Sequence, residues 1–353
     1  MLINRRQAIK VGLQATTGVL SAASKARATQ PNALTGRPPV MVNGRRVRTI
    51  DIHAHCVIPE ALNLMPGARA NPPSLVLGPQ RLLEMDGQGI DVQVLSINQF
   101  WYAAPRETAA RIVDLQNERL AQICAEHPDR YVPLASVALQ DPPLAAAQLE
   151  RAATKLGMRG VAIAAHVNGD ELSAPKFHPF WAKAEELGVV VFIHPQAISE
   201  LDGRLRGNGG LANVIGNPLD TTIALSHLIF EGTLDTFASL TICAAHGGGY
   251  LGSYRSRSAH GCASAPNADC SRPLKKRPSE YIKQIFVDSI VFTSEALRFL
   301  VMQSGADHVL MGTDHPYPWN PTAVDHVLQT PELSDADRIA ILGGNAARLL
   351  RLG

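Results

Sequence analysis

Eight short apolar segments, separated by stretches of helical character, constrain the fold of this chain more than any other feature. Most are rich in Val and Ile and lack polar alternation, which predicts strands buried on both faces. They cover residues 48–55, 91–98, 131–138, 160–166, 189–194, 240–246, 285–290 and 308–314. Helix-compatible stretches lie between them, at 78–88, 106–127, 142–157, 178–187, 217–232, 294–304 and 334–350. Asp141 before two prolines predicts the start of one helix, and Gly157 and Gly188 predict the ends of two others.

This alternation predicts an α/β fold, a (β/α)8 TIM barrel that forms a single domain over residues 46–353. A doubly wound open sheet is the competing fold, but no Gly-rich phosphate loop follows the first strand. With 46% apolar and 18% charged residues, the chain can bury a large core and is not a disordered, solvated polypeptide. The stretch 250–284 is expected to be a long loop with short helical pieces.

The first 28 residues have the pattern of an export signal. Arg5 and Arg6 precede a mildly apolar stretch, and a small-x-small cleavage pattern ends at Ala28. We therefore predict a twin-arginine signal peptide over 1–28, a flexible lead-in over 29–45 and a periplasmic location. An ordinary N-terminal tail on a cytoplasmic protein is the alternative. The apolar stretch is too short and too mild to span a membrane.

Charge and cysteine content exclude several classes of protein. The formal net charge is +2, and the basic cluster at 275–277 is expected to be a solvated loop, so nucleic acid is not a predicted partner. None of the five cysteines forms a C-x-x-C pair. Cys124 and Cys243 lie in apolar surroundings and are predicted core residues, and a Cys262–Cys270 disulfide remains an open alternative.

Polar residues at the ends of the predicted strands indicate a metal site. His53 and His55 are two apart, so they face the same side of the first strand. His194 ends the fifth strand and Asp314 the eighth, and a barrel brings strand ends together at one rim. Three imidazoles and one carboxylate suit a divalent metal ion, with zinc as first choice and manganese or iron as alternatives.

Three further residues at the strand ends are candidates for the pocket. His246 ends the sixth strand before three glycines and is predicted to be a general acid/base. The alternatives for it are a fifth metal ligand or a structural histidine. His166, at the end of the fourth strand, and Asp288, in the seventh, are predicted to line the substrate pocket, with supporting roles as the alternative.

Several motifs, taken in order, resemble a known family. They are D-I-H-A-H at 51–55, H-P at 194–195, T-T-I-A at 221–224, A-H-G-G-G at 245–249 and G-T-D-H-P-Y-P at 312–318. Together they resemble the amidohydrolase superfamily, in particular the group that contains aminocarboxymuconate-semialdehyde, γ-resorcylate and 5-carboxyvanillate decarboxylases. The resemblance extends from about residue 48 to residue 350.

This resemblance implies a metal-dependent, non-oxidative decarboxylase of an aromatic or unsaturated carboxylic acid that uses no organic cofactor. His53, His55, His194 and Asp314 match the metal ligands, and His246 matches the catalytic acid/base beside a metal-bound water. The fourth strand has no lysine at its end, which favours one metal over two.

The resemblance also implies a homodimer, in which Arg257 reaches the neighbouring subunit's site and binds the substrate carboxylate. Gln196 replaces the tryptophan of the compared decarboxylase, so we expect a more polar wall of the substrate pocket.

Two other functions remain open for the same residues. A metal-dependent hydrolase or hydratase, acting on a lactone, amide or alkene, could use the same barrel and the same histidines, because function depends on the pocket. The second alternative is an exported, non-catalytic metal- or ligand-binding protein, but such a protein would not need His246 and the three glycines that follow it.

Overall fold

Eight parallel strands form the central sheet of the computed structural model, which describes residues 37–65, 72–196, 198–264 and 272–353. The strands are β1 (Ile50–His55), β2 (Val92–Ser96), β3 (Tyr131–Ala135), β4 (Gly160–Ala164), β5 (Val190–His194), β6 (Thr241–Ala244), β7 (Phe286–Asp288) and β8 (Val309–Leu310). They pair in sequence order. The predicted signal peptide over 1–28 and Cys270 of the considered disulfide lie outside the described residues.

Hydrogen bonds between the first and last strands close this sheet into a barrel. The Ile52 amide donates to the Met311 carbonyl (2.9 Å), and the Asp314 amide donates to the His53 carbonyl (2.8 Å). A third bond joins the His55 amide to the His315 carbonyl (2.7 Å). The predicted (β/α)8 barrel is therefore confirmed.

Six of the eight strands, all except β1 and β5, are shorter than predicted at their carboxyl ends, and for β6 and β8 the reason lies in the backbone. His246 and Asp314 were predicted to end strands, but they have φ angles of +56° and +63°, outside the extended region. Strands β6 and β8 therefore stop earlier, at Ala244 and Leu310. The backbone turns just beyond each strand, where the two polar side chains enter the site.

Helices cover the outside of the barrel. The longer ones are α1 (Pro79–Gln88), α2 (Arg106–Glu126), α3 (Pro142–Lys155), α4 (His178–Leu187), α5 (Asn217–Phe230), α6 (Arg255–Ser264), α7 (Ser294–Ser304) and α8 (Ala323–Gln329). Asp141 accepts a hydrogen bond from the Leu144 amide and caps α3 as predicted. Gly157 and Gly188 adopt the left-handed conformation after α3 and α4. Helix α8 was not predicted, and α6 lies in the stretch expected to be mainly loop.

The segment before the barrel corrects one prediction. Residues 37–45 were expected to belong to a flexible lead-in, but Val40 and Val42 are buried. Residues 41–42 pair with residues 45–46 as an antiparallel hairpin. Arg37 also forms an ion pair with Asp325 of α8 (2.6 Å). Apolar burial and this ion pair attach the segment to the barrel, so the domain begins earlier than residue 46.

Two further expectations can be compared with the structure. Cys124 and Cys243 are buried free thiols, as predicted for core residues. Within the described ranges, no helix combines the length and the apolar character needed to cross a membrane.

Candidate metal centre

The four predicted metal ligands meet at the carboxyl end of the barrel. The ligand atoms of His53, His55, His194 and Asp314 all lie within 4.8 Å of one another. The Nε2 atoms of His53 and His55 are 3.0 Å apart, and Asp314 Oδ1 lies 2.7 Å from His55 Nε2. Ligand atoms that surround a cation at about 2.0–2.2 Å are themselves roughly 3 Å apart. These separations therefore fit donors that share one cation.

Hydrogen bonds to the other ring nitrogens orient the three imidazoles. His194 Nδ1 donates to the Pro195 carbonyl (2.9 Å), and His53 Nδ1 donates to Asp288 Oδ2 (2.6 Å). His55 Nδ1 lies 3.3 Å from the Ser96 hydroxyl. With the proton on Nδ1, each Nε2 presents a lone pair to the shared centre. Lone pairs that face each other at this distance repel unless a cation lies between them, so the donor set fits a metal ion.

The electrostatics of the centre also favour a positive charge. Burial by itself lowers the pKa of His53, but Asp314 and Asp288 outweigh it and raise that pKa to about 10. Burial lowers the pKa of His55 to about 4, and burial and neighbouring imidazoles hold the pKa of His194 well below its ordinary value. The carboxylates therefore stabilise one positive charge among the ligands, and two imidazoles stay neutral. A divalent cation supplies that charge in place of a proton.

Asp288 fits a supporting role, which was the alternative to the predicted substrate contact. Its side chain is fully buried, which is unfavourable for a contact with substrate. Besides holding His53, its oxygens accept hydrogen bonds from the amides of His246 (2.8 Å) and Gly247 (2.9 Å). One carboxylate thus fixes a metal ligand and the backbone of the candidate acid/base.

Close packing behind the site depends on two glycines. A Cβ on Gly312 would lie 2.9 Å from the Cβ of Asp288 and 3.2 Å from that of His53. A Cβ on Gly249 would lie 2.2 Å from the Pro218 carbonyl oxygen. Gly312 lets the segment after β8 pack against His53 and Asp288, and Gly249 lets the loop after His246 pack against α5, more closely than any side chain would allow.

Replacing Asp288 by asparagine is expected to weaken metal binding by about 10–100-fold. The amide removes the negative charge that holds the proton on His53 Nδ1, so Nε2 becomes a poorer ligand. A titration against a competing chelator measures the effect. Asp235→Asn is the matched control, because Asp235 binds Tyr281 and the Lys275 amide instead. Equal affinity in Asp288→Asn and wild type would contradict this role.

His246 lies beside the ligands without belonging to their cluster. Its Nε2 is 3.8 Å from Asp314 Oδ2, and its ring centroid is 5.1 Å from that of His53. Its Nδ1 is buried without a hydrogen-bond partner among the described residues. The imidazole can therefore exchange a proton with a ligand at the centre.

Two cavities border the metal ligands. One, of about 150 Å³, is lined by His246 and Asp314 together with Ile290, Phe292 and Trp319. The other, of about 410 Å³, is lined by His194, Gln196 and the loop after β2, residues 98–104, here called the β2 loop. Gln196 thus lines a cavity wall, and its contact with substrate stays a prediction.

The aromatic wall of the smaller cavity was not predicted from the sequence. Phe292 and Trp319 have ring centroids 6.4 Å apart, and the Tyr317 ring lies 5.6 Å from that of His55. These three aromatic side chains are 43–57% exposed, which is unusual for large apolar groups and typical of a binding site. The sequence features that could have indicated these aromatic side chains are the P-Y-P-W run at 316–319 and the V-F-T run at 291–293.

Two predicted substrate contacts remain predictions. His166 is half-buried at the start of a hairpin with residues 170–171. Arg257 is exposed on α6. Its predicted reach into a neighbouring subunit, and the homodimer itself, stay predictions.

Comparisons with known proteins identify the family of the chain. A family model described as Amidohydrolase matches residues 50–352. The chain is 34% identical to 2-amino-3-carboxymuconate-6-semialdehyde decarboxylase of Dictyostelium discoideum over 77% of this chain and 76% of that protein. It is 30% identical to γ-resorcylate decarboxylase of Rhodococcus jostii (strain RHA1) over 86% of this chain and 98% of that protein.

Solved structures of decarboxylases share the fold. 5-Carboxyvanillate decarboxylase from Sphingomonas paucimobilis superposes with a TM-score of 0.81 at 27% identity, covering 87% of this chain and all of that one (100%). A dihydroxybenzoic acid decarboxylase from Polaromonas sp. JS666, with bound manganese and the inhibitor 2-nitroresorcinol, gives a TM-score of 0.75 at 25% identity. It covers 86% of this chain and 97% of that one.

Proposed function

The chain belongs to the amidohydrolase family, and from this premise we propose that it is a metal-dependent, non-oxidative decarboxylase of an aromatic carboxylic acid. The observation that carries the proposal is the smaller cavity, where His246, the ligand Asp314 and aromatic side chains line one space. Such a cavity can hold a flat ring next to both a cation and a proton donor.

The proposed metal is a single divalent cation held by His53, His55, His194 and Asp314. When bound, it would attract the substrate carboxylate and polarise it. Zinc was the first expectation from the donor set, but the bound manganese of the Polaromonas structure favours Mn²⁺. Elemental analysis of the purified protein distinguishes the two.

His246 is the proposed proton donor. The ring carbon that bears the carboxylate takes a proton from His246 Nε2, the bond between this carbon and the carboxylate breaks, and CO₂ leaves. The new bond to hydrogen uses a pair of the ring's π electrons, and the electron pair of the broken bond returns to the π system and restores aromaticity. The amide of His246 is bound to Asp288, so the imidazole is held in place by the residue that also orients His53.

The substrate carboxylate requires a second anchor besides the cation. We propose that Arg257 of a neighbouring subunit supplies it through a charge-assisted pair of hydrogen bonds. The exposed position of Arg257 on α6 supports a contact with another molecule.

The test is a product analysis on a panel of hydroxybenzoates, vanillates, phthalates and muconates with the metal-loaded protein. We expect at least one acid to release CO₂ and to yield the product that lacks one carboxyl group. A product that instead contains the elements of an added water molecule would identify a hydrolase or hydratase and would overturn the proposal.

A further inference from the structure

The larger cavity beside His194 has a rigid wall. Gln140 donates its side-chain amide to the carbonyls of Trp101 (3.2 Å) and Ala104 (3.1 Å). The side-chain amide of Asn168 donates to the Tyr102 carbonyl (2.9 Å). The β2 loop is therefore fixed by side chains that arrive from two other parts of the chain, and its cavity face is preorganised before any ligand binds.

This preorganised loop carries polar atoms that have no partner. Both side-chain amide atoms of Asn98 and the indole Nε1 of Trp101 are shielded from solvent, and no described residue makes a hydrogen bond to them. Trp101 also has a φ angle of +57°, a strained conformation for an aromatic residue. Unpaired polar groups and backbone strain on a fixed loop are costly for stability, and both are typical of ligand-binding sites.

The chemistry of these atoms selects the kind of group that can fill the cavity. The Asn98 amide can donate and accept, while the Trp101 indole can only donate. A hydroxyl group accepts and donates at once, so it can pair with donors and with the acceptor among them. Of the described residues that line this cavity, none is Asp, Glu, Lys or Arg, which favours an uncharged group over a second carboxylate.

We propose that Asn98 and Trp101 form a subsite that recognises an uncharged hydroxyl group on the ring of the substrate. The inference rests on the proposed function, because it takes the substrate carboxylate to be held at the metal, which both cavities border, with a ring hydroxyl directed into this one. Asn98 is then a specificity-determining residue, since a substrate without the hydroxyl leaves its buried amide unpaired.

The experiment measures equilibrium binding to the metal-loaded full-length protein by calorimetry. The probes are salicylate and the dihydroxybenzoates made by adding one further ring hydroxyl to it. For wild type we expect at least one dihydroxybenzoate to bind about 10-fold or more tighter than salicylate. This increase in affinity is here called the hydroxyl gain. Asn98→Leu is expected to reduce this gain to less than about 3-fold.

Trp101→Phe is the second variant, because it removes only the indole N–H and keeps the aromatic ring. It is expected to reduce the hydroxyl gain even if Asn98→Leu fails to fold. Gln122→Leu, which changes an exposed amide on α2, is the matched control and should keep the full gain.

The outcomes separate this proposal from the proposed function. If no dihydroxybenzoate binds tighter than salicylate, or if folded variants keep the gain, the subsite proposal is wrong even where the enzyme releases CO₂. If the gain is present and the variants lose it, but wild type releases no CO₂ from any acid, the subsite stands and the decarboxylase proposal fails.

Discussion

His194→Ala is expected to leave a folded protein that retains less than about a tenth of its metal and loses CO₂ release by at least about 10³-fold. The Nε2 of His194 is the ligand that β5 supplies, and its Nδ1 proton is fixed by the Pro195 carbonyl. Alanine removes this metal ligand and leaves only His53, His55 and Asp314 to hold the cation. Elemental analysis and a CO₂ assay on the acid that wild type decarboxylates measure the two effects.

The control for this variant is His227→Ala on α5. His227 is partly exposed and lies 3.8 Å from Glu171, away from the metal ligands. It should keep both metal and activity. Because His194 is only half-buried, its removal is not expected to unfold the barrel, and circular dichroism checks this. A His194→Ala protein with full metal content would show that the donor set assigned here is wrong.

His246→Ala is expected to show a different pattern, in which metal content stays near wild type while turnover falls by about 10²–10⁴-fold. The side chain lies 3.8 Å from Asp314 and is not one of the four clustered donors, so its loss removes a proton donor and not a ligand. The measurement pairs elemental analysis with kcat for CO₂ release. Near-native kcat in this variant would contradict the role of His246, and loss of metal would make it a fifth ligand.

The barrel and its metal ligands could be predicted from the sequence because both depend on local patterns. Buried strands of a parallel sheet are short Val- and Ile-rich runs, and His53, His55, His194 and Asp314 follow such runs directly. Once the order of strands is known, the barrel geometry requires their carboxyl ends to meet.

Contacts between distant parts of the chain could not be predicted in this way. Asp288 was assigned to the pocket because it lies on a strand, but whether such a side chain meets substrate or a neighbouring imidazole depends on the packing of β7 against β1. The attachment of residues 37–45 depends on an ion pair between Arg37 and Asp325, which are far apart in sequence. The lack of hydrogen-bond partners at the Asn98 amide depends on the folded conformation of the β2 loop, which the sequence does not give.

The proposed function requires one bound divalent metal ion for the release of CO₂ from an aromatic acid. Its most direct test follows CO₂ release from γ-resorcylate or another acid that the protein accepts, before chelation, after chelation, and after Mn²⁺ is restored. We predict loss of activity on chelation and recovery when about one metal ion per chain is bound again. Unchanged CO₂ release by protein shown to be free of metal would contradict it.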